Sequence, residues 1–128
     1  MPIRTKRKRK FSSSFKDCLN GFKYINTNED NFKREIFLGI IALLLSYILK
    51  VSKIEFIIVI IMIALVLVCE VINTTVEKIV DLICPNYNKL AGGIKDIAAF
   101  AVLLMCIFAL VIGAIIFIPK IIILLGGI

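Results

Sequence analysis

Hydrophobic residues first recur periodically near the amino terminus, before any long apolar block begins. Over about residues 13–25 they return at intervals of three and four positions: Phe15, Cys18, Leu19, Phe22 and Ile25. This spacing places them on one face of a helix. We therefore predict an amphipathic helix over residues 13–25, which either lies on a membrane surface or packs against a partner helix.

Three blocks without a charged residue follow, at residues 36–49, 56–69 and 97–118. The last contains 22 residues, which is enough to cross the hydrocarbon core of a bilayer. The first two contain 14 residues each and are short for a span, but the lysines after the first block can extend outward and lengthen it. The helical pattern of the second block continues to about Ile83. We predict an all-α membrane protein with three transmembrane helices, at about residues 32–52, 54–83 and 93–118.

Polar and proline-containing segments separate these helices. A polar link is predicted at residues 26–31, a turn at residues 50–55, and a loop at residues 84–88, where Pro85 and neighbouring asparagines disfavour helix. Pro119 and Lys120 are predicted to end the third span. With 128 residues, the chain is expected to form one domain. Residues 1–12 are predicted to be a disordered basic tail, and residues 13–128 a single membrane-embedded domain that includes an apolar tail of unassigned role.

The composition agrees with a membrane protein. Apolar residues make up 60% of the chain and the mean hydropathy is +1.00, which exceeds the range of ordinary water-soluble domains. Residues 1–34 contain ten of the 16 basic residues and three acidic ones, so they carry the whole net charge of +7. In the predicted topology 13 basic residues lie on the side of the amino terminus and three on the other. This asymmetry predicts a multi-pass protein of a cell membrane with a cytoplasmic amino terminus.

We expect neither a nucleic-acid-binding site at the basic run nor a zinc site at the cysteines. The run from Arg4 to Lys10 is also typical of nucleic-acid or nuclear-import patches, but a membrane span follows it, so we expect no nucleic-acid partner. It does not open a signal peptide, because the first apolar block starts too late. The four cysteines are widely spaced and histidine is absent, which argues against zinc and favours reduced, buried thiols.

One face of the second span is polar, which is unusual at membrane depth. At 100° per residue the following positions share an arc of about 100°: Glu70, Asn73, Thr74, Glu77 and Asp81. Because a carboxylate inside a bilayer costs about 2.5 kcal/mol or more, such a residue suggests a function. The alternative is that the helix leaves the bilayer, so that Glu77 and Asp81 are solvated. This alternative applies least to Glu70, which directly follows the uncharged block.

The predicted topology brings this polar face close to two other charged segments on the cytoplasmic side. One lies at the start of the first span, from Glu29 to Glu35, and the other is Lys95-Asp96 at the start of the third. Carboxylates without histidine or thiolate partners suit a hard cation such as Mg²⁺, and a lysine suits phosphate. Together with a carboxylate as general base, these groups are what phosphoryl transfer requires. No Walker A sequence is present.

At these residues the chain resembles the prokaryotic diacylglycerol kinase family, whose Gram-positive members are undecaprenol kinases. One matching block runs from Glu70 to Glu77 and fits Glu-x-x-Asn-(Ser/Thr)-x-(Ile/Val)-Glu, followed by Asp81. The other is Lys95-Asp96-Ile97-Ala98-Ala99 with the apolar residues after it. The resemblance extends from about Ser13 to Ile118. It implies a small three-span protein with an amino-terminal surface helix, which assembles as a homotrimer and transfers the γ-phosphate of Mg-ATP to a lipid hydroxyl.

The resemblance also implies roles for individual residues. Glu70 would be the catalytic base for the lipid hydroxyl, and Glu29 and Glu77 would bind the Mg²⁺ of Mg-ATP. The implied nucleotide-binding residues are Asn73, Glu77, Lys95 and Asp96. In the homotrimer the site would lie between neighbouring subunits on the cytoplasmic side. The role of Glu35, whether catalytic or only a charge at the membrane boundary, stays open.

The lipid acceptor and two other functional classes are weighed as alternatives. Three features resemble the undecaprenol kinase branch: Asp81-Leu82, Pro85-x-Tyr87 and the alanine-rich start of the third span. Diacylglycerol is the alternative acceptor. Asn88-Lys89 departs from common family residues, which leaves the 84–88 loop loosely matched. Thr75 also departs from the family, but it lies off the polar face. A proton-coupled transporter subunit would use Glu70 to carry a proton but would leave Lys95-Asp96 without a task. In a purely structural subunit the polar face would only pair helices.

Overall fold

The computed structural model describes residues 10–126, and this part of the chain is helical with no β-strand. Its four helices are α1 (Phe11–Asn28), α2 (Asp30–Ile48), α3 (Lys53–Ile83) and α4 (Lys89–Gly126). Helix α3 packs against both α2 and α4, and α1 packs against the start of α2. The prediction of an all-α protein is confirmed. Most of the predicted tail, up to residue 9, lies outside the described residues, and α1 already includes Phe11 and Ser12.

Helix α1 is longer than the predicted surface helix and continues almost to the start of α2. The predicted polar link shrinks to Glu29, whose extended backbone (φ −118°, ψ 106°) separates the two helices. Phe22 of α1 meets Phe32 of α2 edge to face, with ring centroids 6.1 Å apart. Phe15 and Leu19 on the apolar face stay exposed. This chain alone therefore covers only the end of that face, which leaves both predicted environments open.

A tight turn connects α2 to α3. Lys50 adopts φ 51°, in the left-handed region that few non-glycine residues occupy. Ser52 then caps α3: its hydroxyl accepts a hydrogen bond from the Glu55 amide, and the Glu55 carboxylate accepts one from the Ser52 amide. Farther along, Gly39 allows α2 and α3 to approach closely, because a β-carbon there would lie 3.0 Å from Ile63 Cγ2.

Two helices of the described chain, α3 and α4, are long and apolar enough to cross a membrane. They contain 31 and 38 residues, and few of their apolar side chains are buried within the chain. Helix α2 contains 19 residues, and its first turns carry Asp30, Lys33, Arg34 and Glu35. The fold class of an all-α membrane protein holds, while the count of three spans stays a prediction.

The prediction that Pro119 and Lys120 end the last helix is wrong, because α4 continues through both residues to Gly126. A proline inside a helix removes one hydrogen-bond donor and costs about 3 kcal/mol, which often ends the helix. Here the segment after Pro119 is tied to α3, since Lys120 Nζ lies 2.9 Å from Glu55 Oε2 and 3.1 Å from Oε1. The ion pair between α4 and α3 therefore stabilises a helical segment that the local sequence around Pro119 would be expected to end.

Candidate active site

Glu70 is the most deeply buried charged residue of the described chain. Glu70 is 2% exposed, although the turns that precede it on α3 are apolar. Asn73 and Thr74, one turn farther along α3, are also buried. Helical periodicity brings the three side chains to one face, as the sequence predicts, and that face points into the protein. The alternative that the polar face is simply solvated therefore does not apply to these three residues.

A second carboxylate meets Glu70 from the neighbouring helix. The carboxyl groups of Glu35 on α2 and Glu70 on α3 lie within hydrogen-bonding reach of each other. Cys106 of α4 lies close to both. One oxygen of Glu35, Oε2, is buried and has no hydrogen-bond partner among the described residues. The structure thus places Glu35 in the site rather than leaving it as a charge at the membrane boundary.

Glu29 and Glu77 form the rim of the site, next to the break between α1 and α2. Both carboxylates lie close enough to Glu70 for their charges to act on it. The Asn73 side-chain amide donates a long hydrogen bond to Glu77 Oε1, at 3.5 Å. Glu29 Oε1 lies 3.7 Å from Lys78 Nζ, so α3 neutralises the charge at the break between α1 and α2. The site therefore draws carboxylates from that break and from two helices.

Lys95 enters from the start of α4. It forms an ion pair with Asp81, near the end of α3, and its charge also acts on that of Glu77. The pair bridges the loop at residues 84–88 and holds the ammonium group beside the rim. Asp96 is exposed at the next position and makes no hydrogen bond or ion pair within residues 10–126. The structure thus brings Lys95 to the cluster but does not place Asp96 there.

Three polar atoms of the site are buried and unpaired within the described chain: Glu35 Oε2, Asn73 Oδ1 and Thr74 Oγ1. Buried polar atoms in proteins almost always have a hydrogen-bond partner, and leaving one unpaired costs about 1–3 kcal/mol. These three lie on the same side of α3 as Glu70 or face it from α2. The cluster therefore has unused hydrogen-bonding capacity toward another molecule.

The residues fit Mg²⁺ only when another ligand completes its shell. No group of three Asp, Glu or Cys side chains within residues 10–126 could hold a metal ion by itself. Mg²⁺, however, is commonly bound by one or two carboxylates together with substrate phosphates and water. Glu29 and Glu77, both near Glu70, provide such carboxylates. The donor set therefore suits a cation that arrives with a phosphate ligand.

Most of the site residues predicted from sequence converge here, and two contributors were missed. Glu29, Glu70, Asn73 and Glu77 come together, and Lys95 joins them next to Asp81. Lys78 was not predicted, because its contact with Glu29 joins α3 to the break between α1 and α2. The rotation of α3 relative to that break cannot be read from a local sequence pattern. Glu35 was left unassigned for the same reason. Its position directly before an uncharged block, like that of Glu70 directly after one, is the signal that could have identified it.

Comparison with known proteins identifies the family of this chain. The family model for prokaryotic diacylglycerol kinase matches residues 16–117. A diacylglycerol kinase of Haemophilus influenzae is 37% identical over 106 residues, which cover 82% of this chain and 90% of the relative. An undecaprenol kinase of Bacillus subtilis is 32% identical over 111 residues, covering 87% of this chain and 90% of the relative. The matched range includes every predicted site residue. The chain therefore belongs to the prokaryotic diacylglycerol kinase family and is a lipid kinase.

Proposed function

We propose that this lipid kinase transfers the γ-phosphate of Mg-ATP to the hydroxyl of undecaprenol, forming undecaprenyl phosphate and ADP. The observation that carries the proposal is the position of Glu70, buried directly after an uncharged block and facing Glu35. A carboxylate at membrane depth can meet a lipid hydroxyl, while the carboxylates and lysine at the rim can meet a nucleotide from the water phase.

In this proposal Glu70 is the general base. The lipid oxygen bonds to the γ-phosphorus, the bond from that phosphorus to the β–γ bridging oxygen breaks, and the hydroxyl proton passes to the Glu70 carboxylate. General-base catalysis of this kind contributes about 100-fold to 10,000-fold to a rate. Glu35 would hold the Glu70 carboxyl in place, since the two groups already touch.

The rim residues would position the nucleotide. Glu29 and Glu77 would bind Mg²⁺, which when bound neutralises charge on the phosphate oxygens. Asn73 donates to Glu77 and would hold that carboxylate in place. Lys95 would exchange its contact with Asp81 for one with phosphate, a role that suits a mobile point charge. Asp96, exposed beside it, would contact the nucleotide from outside the cluster.

The choice of undecaprenol rests on sequence features, with diacylglycerol as the second candidate. Asp81-Leu82, Pro85-x-Tyr87 and the alanine-rich start of the third predicted span support undecaprenol, as does the coverage of the Bacillus subtilis relative. The higher identity to the Haemophilus influenzae relative favours diacylglycerol. A pocket that contacts a long lipid mainly through apolar surface discriminates weakly between chains, so both acceptors deserve measurement.

We also propose a homotrimer in a bacterial cell membrane, with the amino terminus and the site on the cytoplasmic side. The family resemblance supports the trimer, in which Glu70 would act on a nucleotide held partly by another subunit. The basic amino-terminal third supports the orientation. The large apolar surface that α3 and α4 leave exposed is available to lipid and to neighbouring subunits.

The experiment that tests the proposed function uses purified protein in detergent micelles with γ-labelled ATP and Mg²⁺. Undecaprenol and diacylglycerol are supplied separately, and label in each lipid is followed with time. We expect faster labelling of undecaprenol, and loss of labelling in Glu70→Gln. Faster labelling of diacylglycerol would assign the second acceptor instead. Absence of label in both lipids, from protein shown to be folded, would contradict the proposed reaction.

A further inference from the structure

An apolar groove leads away from the carboxylate cluster along the helices. It has a volume of about 560 Å³ and lies between α2, α3 and α4. Its single charged lining residue within the described chain is Glu35. The rest of the lining is aliphatic or aromatic, apart from Met62, Cys106 and two glycines. A groove with one carboxyl at its end and apolar walls elsewhere suits a molecule with a polar head and an apolar chain.

The residues that line the groove on α2 and α4 define its direction. On α2 its lining extends from Glu35 to Leu45, and on α4 from Cys106 to Phe117. At a rise of 1.5 Å per residue, both segments are about 15 Å long. Since Glu35 and Cys106 both lie beside Glu70, the groove begins at the carboxylates and extends away from them through the apolar part of the bundle.

We propose that this groove holds the first isoprene units of the lipid substrate, with the hydroxyl at Glu35 and Glu70, and that Gly113 keeps it open for the chain. The inference rests on the proposed function and adds to it the part of the molecule that selects substrates by chain length. Two observations select this occupant: the groove is continuous with the carboxylate cluster, and the unpaired, buried Oε2 atom belongs to its one charged lining residue.

Gly113 differs from the other glycine of the groove in what surrounds it. A β-carbon at Gly39 would press against Ile63, so that glycine serves helix packing. A β-carbon at Gly113 would meet only Phe117 Cδ2, at an ordinary 3.9 Å, and would otherwise enter free space. Because Gly113 lines the groove, a larger side chain there would occupy the path of the chain without disturbing the contact between helices.

The position of Gly113 determines how long a lipid must be for a larger side chain there to obstruct it. It lies seven residues beyond Cys106, about 10 Å along α4 from the level of the carboxylates. Prenol, with a single isoprene unit, ends before this level, whereas farnesol and undecaprenol extend past it. Obstruction at Gly113 should therefore affect the two longer alcohols and spare the short one.

The test compares Gly113→Leu with Val111→Phe, two substitutions that add the same number of carbon atoms. Val111 lies two positions away, is half exposed and does not line the groove. Phosphate transfer to prenol, farnesol and undecaprenol is measured for both variants and the parent protein. We expect Gly113→Leu to lower kcat/KM at least ~10-fold for farnesol and undecaprenol, the scale of a misfit in an apolar pocket, while prenol is unchanged. Val111→Phe should leave all three alcohols unchanged.

A binding measurement keeps the inference testable when turnover of the short alcohol is slow. Farnesol should raise the thermal unfolding temperature of the parent and of Val111→Phe, because a ligand stabilises the state to which it binds. Gly113→Leu should lose this shift. Retention of the shift, or an equal loss of activity with all three alcohols, would overturn the inference; the latter would point to a neighbouring copy in the groove. Absence of transfer to any alcohol by the parent protein would instead refute the proposed function.

Discussion

Charged groups lie at the start of α3 and in its second half, and the two regions differ in how those charges are satisfied. Near its start, Glu55 is paired with Lys120 of α4 and completes the capping box with Ser52. Farther along, Glu70 faces another carboxyl group, and three polar atoms around it are buried without partners. The first arrangement satisfies its hydrogen bonds within the chain. The second does not.

This difference separates structural charges from functional ones. A paired and capped helix end needs no further ligand, and exposed or half-exposed ion pairs contribute little to stability. A group of buried carboxylates with unused hydrogen-bonding capacity destabilises the fold unless another molecule completes it. The position of a charged residue in a membrane helix is therefore a weaker indication of function than the absence of hydrogen-bond or ion-pair partners for it within the chain.

The strongest test of this comparison changes one glutamate in each of these two regions of α3 to glutamine. Glu70→Gln removes the proposed base and should lower the rate of phosphate transfer about 100-fold or more. Glu55→Gln alters only a structural pair and should retain most of the activity. Transfer of label from ATP to the lipid measures both. Comparable losses in the two variants would remove the distinction between the two regions.

A smaller effect is expected at the rim. Glu77→Gln should raise the Mg²⁺ concentration for half-maximal activity by about 10-fold, because a carboxylate ligand is lost while Glu29 remains. Asp30→Asn is the matched control, since Asp30 is exposed and within residues 10–126 pairs only with Lys33, at 3.8 Å. Its Mg²⁺ dependence should equal that of the parent. A titration of activity against Mg²⁺ measures the shift, and an unchanged Glu77→Gln curve would exclude this residue as a metal ligand.

The two lysines that pair with carboxylates of α3, Lys95 and Lys120, should also differ in the effect of their substitution. Lys95→Met should raise the KM for ATP by about 10-fold, the effect of losing a charged hydrogen bond to phosphate worth ~1.5 kcal/mol or more. Lys120→Met should leave the KM for ATP unchanged and lower the thermal unfolding temperature in detergent, because it frees Glu55 and the segment after Pro119. A raised KM in Lys120→Met would mean that the far end of α4 acts on the site.

The smallest effect belongs to the cap of α3. Ser52→Ala removes the hydroxyl that accepts from the Glu55 amide and should cost about 1 kcal/mol of stability. Phosphate transfer below the unfolding temperature should not change. Thermal unfolding of the variant beside the parent measures the cost, and a loss of activity without a loss of stability would contradict a purely structural role for this end.

Local sequence patterns predicted the helices well where proline, asparagine and charge act within a few residues. The end of α3 at Ile83 and the following loop agree with the prediction, and the polar face around Glu70 is formed by helical periodicity alone. The continuation of α4 past Pro119 was missed because it depends on a contact between Lys120 and a residue 65 positions away. Only the folded chain supplies that contact.

The site was predicted to the extent that its residues share one helix. Glu70, Asn73 and Glu77 follow from the spacing on α3. The contacts of Glu35 with Glu70 and of Lys78 with Glu29 depend on how α2 and α1 rotate against α3, which the periodicity of a single helix does not determine. Gly113 lies far from every motif, and only the groove between three helices gives it a role.

The most direct test of the central claim separates nucleotide binding from chemistry in the Glu70→Gln variant. Equilibrium binding of Mg-ATP and the rate of a single turnover with bound lipid are measured on the same preparation. If Glu70 takes the proton from the lipid hydroxyl, Mg-ATP should bind as it does to the parent, while the single-turnover rate falls about 100-fold or more. A normal single-turnover rate, or a rate that falls only as far as nucleotide binding does, would contradict the account.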